Sequence, residues 1–378
     1  MPSNLPVIAV MHFGGTTLRG TEVCAIHAIN GLQAAGHSVV LIANHPEIIT
    51  SRLQHQPHRT ITSSFPEIMW DEKLRFPLWR WLKTLTTLKN SLKEERVSLI
   101  LSSGGLPCQI GIPISKWLGI PLAVHLHHPA SKRYFYFWGI PWADLIITPS
   151  LYTRDVIQQK TKKEAQVVYN GIDVENTFFP MPGQSTLRHS LGFQNEDIVI
   201  CSIGALVPHK RMDLFINAFA LAKPQSQHKL RALIIGSGPE QAKLKQLAND
   251  LNAANDVCFI ERVAEVPPYL QISDIHLLAS SEEGFGLSVA EAAACGLPNI
   301  VSASCALTEV VQDSVDGIHI HDPSPDAFAK AILRLSENPK LRLQMGEQGR
   351  RQAVSKFSVT AYQNNIMQHI HNLLGLNH

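Results

Sequence analysis

The sequence predicts an α/β protein made of two doubly wound domains. Short, continuously apolar runs recur along the chain, and stretches of helical length separate most of them. The alternation halts at a segment rich in Gly, Pro, Asn and Asp, NGIDVENTFFPMPG (170–183), and then starts again. Strands that are apolar throughout are buried on both faces, which implies parallel sheets covered by helices on either side. Ligands of such sheets bind beyond the carboxyl ends of the strands, so the site of a two-domain chain is expected in the cleft between the domains.

The first run is Val7 to Met11, followed by the turn HFGG and a helical pattern through Ile26, Ile29 and Leu32 that stops at Gly36. Further strands are expected at 38–43, 97–103, 121–126, 143–150 and 166–170. In the second half DIVICSIG, LRALIIG, DVCFIE, DIHLLASS, PNIVSAS and GIHIHD repeat the pattern, with helical sequence between all but the last two. Helices at 325–337, 340–354 and 359–374 close the chain.

Composition sets the limits. The chain of 378 residues suits two domains at roughly 150 residues each, and a 45% hydrophobic, 17% charged composition excludes disorder. No run reaches the ~18 apolar residues of a membrane span, and MPSNLPVIAV lacks the basic segment of a secretory signal, so a cytoplasmic protein is expected. Six cysteines without Cys-x-x-Cys spacing read as small apolar residues in a reducing compartment. A formal charge of +2 calls for no nucleic-acid partner, although residues 1–175 carry 17 Lys+Arg against 12 Asp+Glu.

Several chemistries drop out on spacing. Gly15 and Gly20 are followed by Thr21 and Glu22 where a P-loop needs Lys and Ser/Thr, neither half has a Gly-x-Gly-x-x-Gly fingerprint, and Ser288 in GLSVA lacks the second glycine of a nucleophile elbow. No Asp-x-Asp pair stands ready to hold a metal on a diphosphate.

Two windows remain. In SSEEGFGLSVAEAAACGLPNIVSAS (280–304), Glu291 is the only charge between Gly284 and Thr308. Burying a carboxylate there costs on the order of several kcal/mol unless something hydrogen-bonds it. A vicinal diol could supply two donors, the backbone amides of Gly284, Phe285 and Gly286 at the helix start suit phosphate, and Glu283 could reach a sugar hydroxyl. The plainer alternative is an exposed Glu283 and a Glu291 paired with a buried arginine. In SIGALVPHKRMDLFINAF (202–219), Lys210 and Arg211 follow Gly204 at a helix start, where the dipole disfavours cations unless an anion is present. They form either a diphosphate clamp or a solvated basic pair.

FGG (13–15), NGID (170–173), GALVPHK, GSGPE (236–240) and EGFGLSVAEA, in that order across both halves, resemble a family 4 (group 1) glycosyltransferase. The resemblance implies the GT-B fold: two Rossmann-like domains facing across a cleft, an acceptor-binding domain at 1–170 joined by a C-terminal helix (357–378) that crosses back to it, and a donor-binding domain at 184–356. It implies a retaining hexosyltransferase that moves a sugar from a nucleoside-diphosphate sugar to a hydroxyl, with no metal or other cofactor required. Position by position, Glu291 would take the donor ribose, Glu283 the transferred sugar's hydroxyls and Lys210 the diphosphate. Gly14 and Gly15 would close on the diphosphate from the N-domain, while Gly204, Arg211, Val263, Gly284, Phe285, Gly286 and Leu287 complete the donor site. His127 matches the active-site histidine, so His127, Glu283 and Lys210 are the catalytic expectation. Three positions depart from the family pattern: Ala205 for an arginine, with Arg211 or His209 as substitutes, Glu261 for a glycine and Val359 for a tryptophan.

Charge development on the leaving diphosphate favours fixed cations and helix-start amides. Retaining hydrolysis would need two carboxylates ~5 Å apart, and no such pair is evident, so front-face transfer is expected, with the leaving phosphate oxygen assisting deprotonation of the acceptor. His125 and His127 fall on one face of a strand, and one of them reads as a core histidine. The acceptor, a sugar or lipid-linked molecule, is assigned to His128, Lys132, Arg133 and Tyr134 in SKRYFYFWGIPW, although aromatic clusters more often pack a core. Residues 76–93 form an amphipathic stretch that either covers the N-domain sheet, the favoured reading, or rests peripherally on an anionic membrane. Two rivals stay open: another GT-B enzyme, epimerase or phosphorylase, and a non-catalytic nucleotide-sugar-binding protein, which Ala205 keeps in play.

Overall fold

The structure is a computed structural model that describes residues 5–66, 69–70, 73–74, 77–181 and 185–376. Contacts divide the chain into two compact units, one of residues 1–171 with 359–378 and the other of residues 172–358. Residues 182–184 and 377–378, at the ends of two expected segments, and Phe76 lie outside the described residues.

The first unit holds a seven-stranded parallel sheet. Its strands are β1 (Val7–His12), β2 (Val39–Ala43), β3 (Arg59–Thr62), β6 (Val97–Ser103), β7 (Leu122–His125), β8 (Leu145–Thr148) and β9 (Gln166–Val167). A short antiparallel pair, β4 (Met69–Trp70) and β5 (Lys73–Leu74), stands apart. The strand order is β3-β2-β1-β6-β7-β8-β9. Side chains alternate with the pleat. Ala9, Met11, Val40, Ile42 and Ile100 pack with Leu85, Leu88 and Leu92 on one face. Ile8, Val10, Leu41, Leu99 and Leu101 pack with Ile26, Ile29, Tyr362 and Ile366 on the other. The helix Val359–Leu374 therefore belongs to this unit and lies against Gly20–Ala34.

The second unit holds β10 (Ile198–Ile203), β11 (Leu230–Ile235), β12 (Val257–Ile260), β13 (Ile275–Leu278), β14 (Asn299–Ser302) and β15 (Gly317–Ile320) in the order β12-β11-β10-β13-β14-β15, all parallel. Ile198, Ile200, Ala232, Ile234 and Leu277 face the helices that carry Phe215, Phe219, Phe328 and Ile332, and Val199, Cys201, Leu233 and Ile235 face Leu270 and Ala292.

Three expectations need correction. β3 was not foreseen, because RTIT at the sheet edge is alternating and only half-buried, with no apolar run to mark it. The β4–β5 pair escaped for want of length. The stripe in the helix Leu78–Glu94 covers the sheet only through Leu85, Leu88 and Leu92, with Trp81 partly packed against them. Leu78, Leu82 and above all Trp79, 83% accessible, stand on the surface. No described helix is long and apolar enough to cross a membrane.

The segment after the first unit is pinned by Arg350. Its Nη1 donates to the carbonyls of Phe178 (2.7 Å) and Ala294 (2.8 Å), and its Nη2 to that of Val174 (2.7 Å). Arg350→Ala leaves three acceptors without their charged donor and should lower stability by about 2–4 kcal/mol, read as a lower urea midpoint at unchanged m-value.

Candidate functional site

The parallel sheets gather polar side chains at the carboxyl ends of their strands, and two clusters result, one in each unit.

In the second unit, β10 ends at Ile203 and the chain runs through Gly204 and Ala205 into a short turn, Pro208–Lys210. Backbone bonds tie this loop to GSGPE: Leu206 N–H donates to Ser237 O, and Glu240 N–H to Leu206 O, both at 3.0 Å. Arg211 caps the helix Met212–Ala222 in the left-handed region (φ 51°), and its guanidinium is held by Asp213, Nε to Oδ1 3.1 Å. Lys210 turns the other way and forms an ion pair with Glu283. Both cations that the dipole argument found unusual at a helix start thus have carboxylate partners. Ala205 and His209 are both exposed, and the His209 carbonyl accepts from Ser281 N–H at 2.9 Å.

β13 leads through Ser280–Glu283 into Gly284, Phe285 and Gly286, where the helix Leu287–Ala294 begins. Gly286 sits at φ 95°, and a Cβ there would lie 2.8 Å from Leu307, so the turn requires glycine. Phe285 is buried edge-on against Phe357, centroids 5.4 Å apart, so its side chain is core and only its backbone could serve a donor. Leu287 opens the helix half-buried. Val263 packs partly on the core and, with Leu187, Ala264, Glu265, Pro268 and Tyr269, lines an open groove of about 460 Å³.

Glu291 lies one turn into that helix. The buried arginine of the plainer alternative is not there: among the described residues its carboxylate has no hydrogen-bonding or ion-pairing group, and burial pushes its pKa up to about 7. Arg350, the nearby candidate, spends its donors on the three carbonyls described above.

In the first unit the HFGG turn is built differently from the expectation. Gly14 N–H donates to Asn44 Oδ1 (2.9 Å), and Asn44 Nδ2 donates back to Gly14 O (2.7 Å). Gly15 N–H donates to Glu22 Oε1 (3.2 Å). The two amides assigned to a diphosphate are therefore already bonded in this structure. Glu22, 1% accessible, also accepts from Arg19 N–H (2.9 Å) and Thr21 Oγ1 (3.0 Å), and faces His12 Nε2 at 3.5 Å. Burial would raise its pKa, but the His12 contact and the other hydrogen bonds outweigh it and bring the value down to about 2.

His127 follows β7, with Nε2 3.2 Å from Ser103 Oγ and its ring 4.5 Å from that of His125. Burial, followed by the neighbouring His125, His128 and His12, holds its pKa well below the usual histidine value. His125 is the core histidine of the pair: buried, lowered to about 4 by desolvation, with Nδ1 3.4 Å from Tyr362 Oη. His128 is exposed. Lys132 and Arg133 open the helix Lys132–Phe137, which is capped by Ser131 Oγ accepting from Tyr134 N–H. The six aromatics of this cluster divide evenly: Phe135 is buried, Trp138 packs against the core and Tyr134 is half-buried beside it, whereas Tyr136, Phe137 and Trp142 are on the surface, so the core-packing preference holds for half of the cluster. Lys132 lies over Tyr136 at 5.9 Å and Arg133 over Phe137 at 5.8 Å.

Residues 18–176 match the model of Glycosyltransferase Family 4 and residues 183–352 that of Glycosyl transferases group 1. The chain belongs to the family 4, group 1 glycosyltransferases, and its fold is GT-B. The N-acetyl-alpha-D-glucosaminyl L-malate synthase of Bacillus anthracis is 29% identical over 58% of this chain, an alignment that spans 57% of that relative's length. The UDP-Gal:alpha-D-GlcNAc-diphosphoundecaprenol alpha-1,3-galactosyltransferase of Escherichia coli is 26% identical over 74% of this chain and 76% of its own. The Anabaena protein HepE, solved in complex with UDP, superimposes with a TM-score of 0.82 over 97% of this chain and 100% of its own at 20% identity, which establishes the shared fold.

Sequence reasoning missed Glu22, His12, Ser103 and Asn44. Glu22 was noticed only as the wrong residue for a P-loop, and the contacts between β1 and β6 that assemble the group join positions 91 residues apart. Because its pKa is depressed on folding, ionised Glu22 contributes stability above about pH 4.5 that is lost as pH falls toward 2. Glu22→Gln should cost about 3 kcal/mol at pH 7 and progressively less between pH 4.5 and 2, measured by urea unfolding of both proteins across that range.

Proposed function

We propose that this protein is a retaining glycosyltransferase that moves a sugar from a nucleoside-diphosphate sugar to a hydroxyl, with the second unit binding the donor and the first the acceptor. The observation that carries the reading is Glu291, a carboxyl with no partner among the described residues, behind the GFG turn of a glycosyltransferase-family chain. A ribose diol supplies the two O–H donors this carboxylate lacks. Lys210 would release Glu283 to take the diphosphate, leaving Glu283 to receive hydroxyls of the transferred sugar, while backbone amides at Gly284, Phe285 and Gly286 stabilise developing charge on phosphate. Gly204, Arg211, Val263 and Leu287 would complete the donor site. Gly14 and Gly15 would contribute only after exchanging their present partners.

Transfer is proposed to proceed on the front face. The bond from the anomeric carbon to the diphosphate oxygen breaks as the acceptor oxygen bonds to the same face, and the acceptor proton passes to the departing phosphate oxygen. His127 receives a hydroxyl of the reacting sugar and forms no covalent adduct. Metal-independent transfer is proposed because the cationic work falls to Lys210 and the chain has no Asp-x-Asp pair. UDP is the first base to test, since the Escherichia coli relative carries UDP-Gal in its name and HepE was solved with UDP.

The acceptor is proposed to be a sugar or lipid-linked molecule met by His128, Lys132, Arg133 and Tyr134. Peripheral contact with an anionic membrane is the accompanying reading, favoured by the exposed Leu78, Trp79 and Leu82 beside Arg80 and Lys83. Flotation with phosphatidylglycerol vesicles at low salt should carry the protein upward and leave Trp79→Ser with Leu82→Ser below; no flotation of the wild type removes this contact.

Calorimetric titration with UDP, GDP and ADP should show one of them binding, with at least a tenfold loss in Glu291→Ala. A diol donates to the ionised carboxylate, so with a pKa of about 7 the affinity should rise up to about tenfold from pH 6 to 8, and this rise should vanish in Glu291→Gln. No binding of any nucleotide overturns the donor assignment.

A further inference from the structure

Four side chains of the first unit stand in one line: Glu22 Oε1, His12 Nε2 at 3.5 Å, His12 Nδ1 to Ser103 Oγ at 3.1 Å, and Ser103 Oγ to His127 Nε2 at 3.2 Å. Each ring nitrogen of a neutral histidine is either a donor or an acceptor, and a serine hydroxyl has a single proton, so the direction of one bond fixes the rest. The starting bond is decided by charge. Glu22 is ionised and accepts only, and a bare nitrogen lone pair against it would be repelled, so the His12 proton sits on Nε2. His12 Nδ1 then accepts the Ser103 O–H, Ser103 Oγ accepts from His127, and the His127 proton sits on Nε2. The opposite direction needs either a lone pair facing the carboxylate or a doubly protonated His12.

We propose that Glu22, His12 and Ser103 are positioning residues that fix the tautomer of His127, turning its Nδ1 into a hydrogen-bond acceptor for a sugar hydroxyl. His127 Nδ1 is buried and has no partner among the described residues, as an acceptor awaiting an O–H donor requires. Gly14 supplies an independent sign that the line is built. A Cβ at this position would lie 2.2 Å from Glu22 Oε1 and 2.5 Å from His12 Nε2, so any side chain there would wedge the first link apart. The glycine of the HFGG turn is thereby explained by the carboxylate and imidazole it lets approach. The consequence for substrate is that the contacted group must donate: a hydroxyl fits, whereas an ether, a carbonyl or a carboxylate at that position is rejected.

The role at the sugar rests on the reading of His127 given above, but the tautomer does not. The test is a two-bond ¹H–¹⁵N spectrum of the full-length protein labelled on histidine nitrogen, at neutral pH and without nucleotide or sugar, with His12 and His127 assigned from His12→Gln and His127→Gln. In the wild type both rings should carry the proton on Nε2 and a lone pair on Nδ1. In Ser103→Ala the His127 Nε2 proton should exchange with solvent about tenfold faster, the equivalent of one lost hydrogen bond of ~1.4 kcal/mol, and Ser103→Thr should restore it. A proton on Nδ1 of either ring in the wild type overturns the proposal even if no variant folds, and so does a Ser103→Ala spectrum identical to the wild type. The nucleotide titrations of the preceding subsection are a separate test, so a failed donor assignment is distinguishable from a failed relay.

Discussion

Parallel strands that are buried on both faces keep polar side chains chiefly at their ends, and in each unit the carboxyl ends lie along one edge of the sheet. β1, β6 and β7 stop at His12, Ser103 and His125, and β10 and β13 run out into the loops that carry Lys210 and Glu283. His12, Ser103, His127, Lys210 and Glu283 all owe their place to this constraint. The helices covering the sheets then place their amino ends beside the same edges, which is where the turn before Leu287 and the capping box around Glu22 are found.

Charge is handled in three ways at these edges. Lys210 and Glu283 neutralise one another, so each is kept in a partly buried loop by the other. Glu22 is stabilised as an anion by backbone amides, a hydroxyl and an imidazole, and its pKa falls. Glu291 has none of these, and its pKa rises. Glu22 and Glu291 therefore shift in opposite directions, set by what surrounds them and not by residue type.

The imidazoles follow the same logic. His125 is buried beside Tyr362 and, among the described residues, pairs with no carboxylate, whereas His127, its neighbour at 4.5 Å, ends a line of three contacts that starts at Glu22. A single sequence, HLHHP, holds a core histidine, a directed one and an exposed one. Their spacing alone does not distinguish them, since the alternation of the strand puts the first two on one face.

What the sequence determined by itself is whatever depends on local pattern: the apolar runs that became strands, the amphipathic stretches that became helices, the α/β class, and the motifs EGFGLSVAEA, GALVPHK and NGID that mark the family. These are legible because burial acts on each segment separately, through a period of 2 or 3.6 residues. It failed at β3, where an edge strand needs no apolar run, and at Leu78–Leu82, where an apolar pattern continues past the end of the surface it could cover. Tertiary structure alone decided the pairings. Lys210 meets Glu283 across 73 positions, and His12 meets Ser103 across 91. Gly14 and Gly15 turned out to be bonded to Asn44 and Glu22, and Arg350 to three carbonyls that no pattern advertises. The physical reason is that a hydrogen bond depends on distances of a fraction of an ångström between atoms brought together by strand order, and strand order is not written in any one segment.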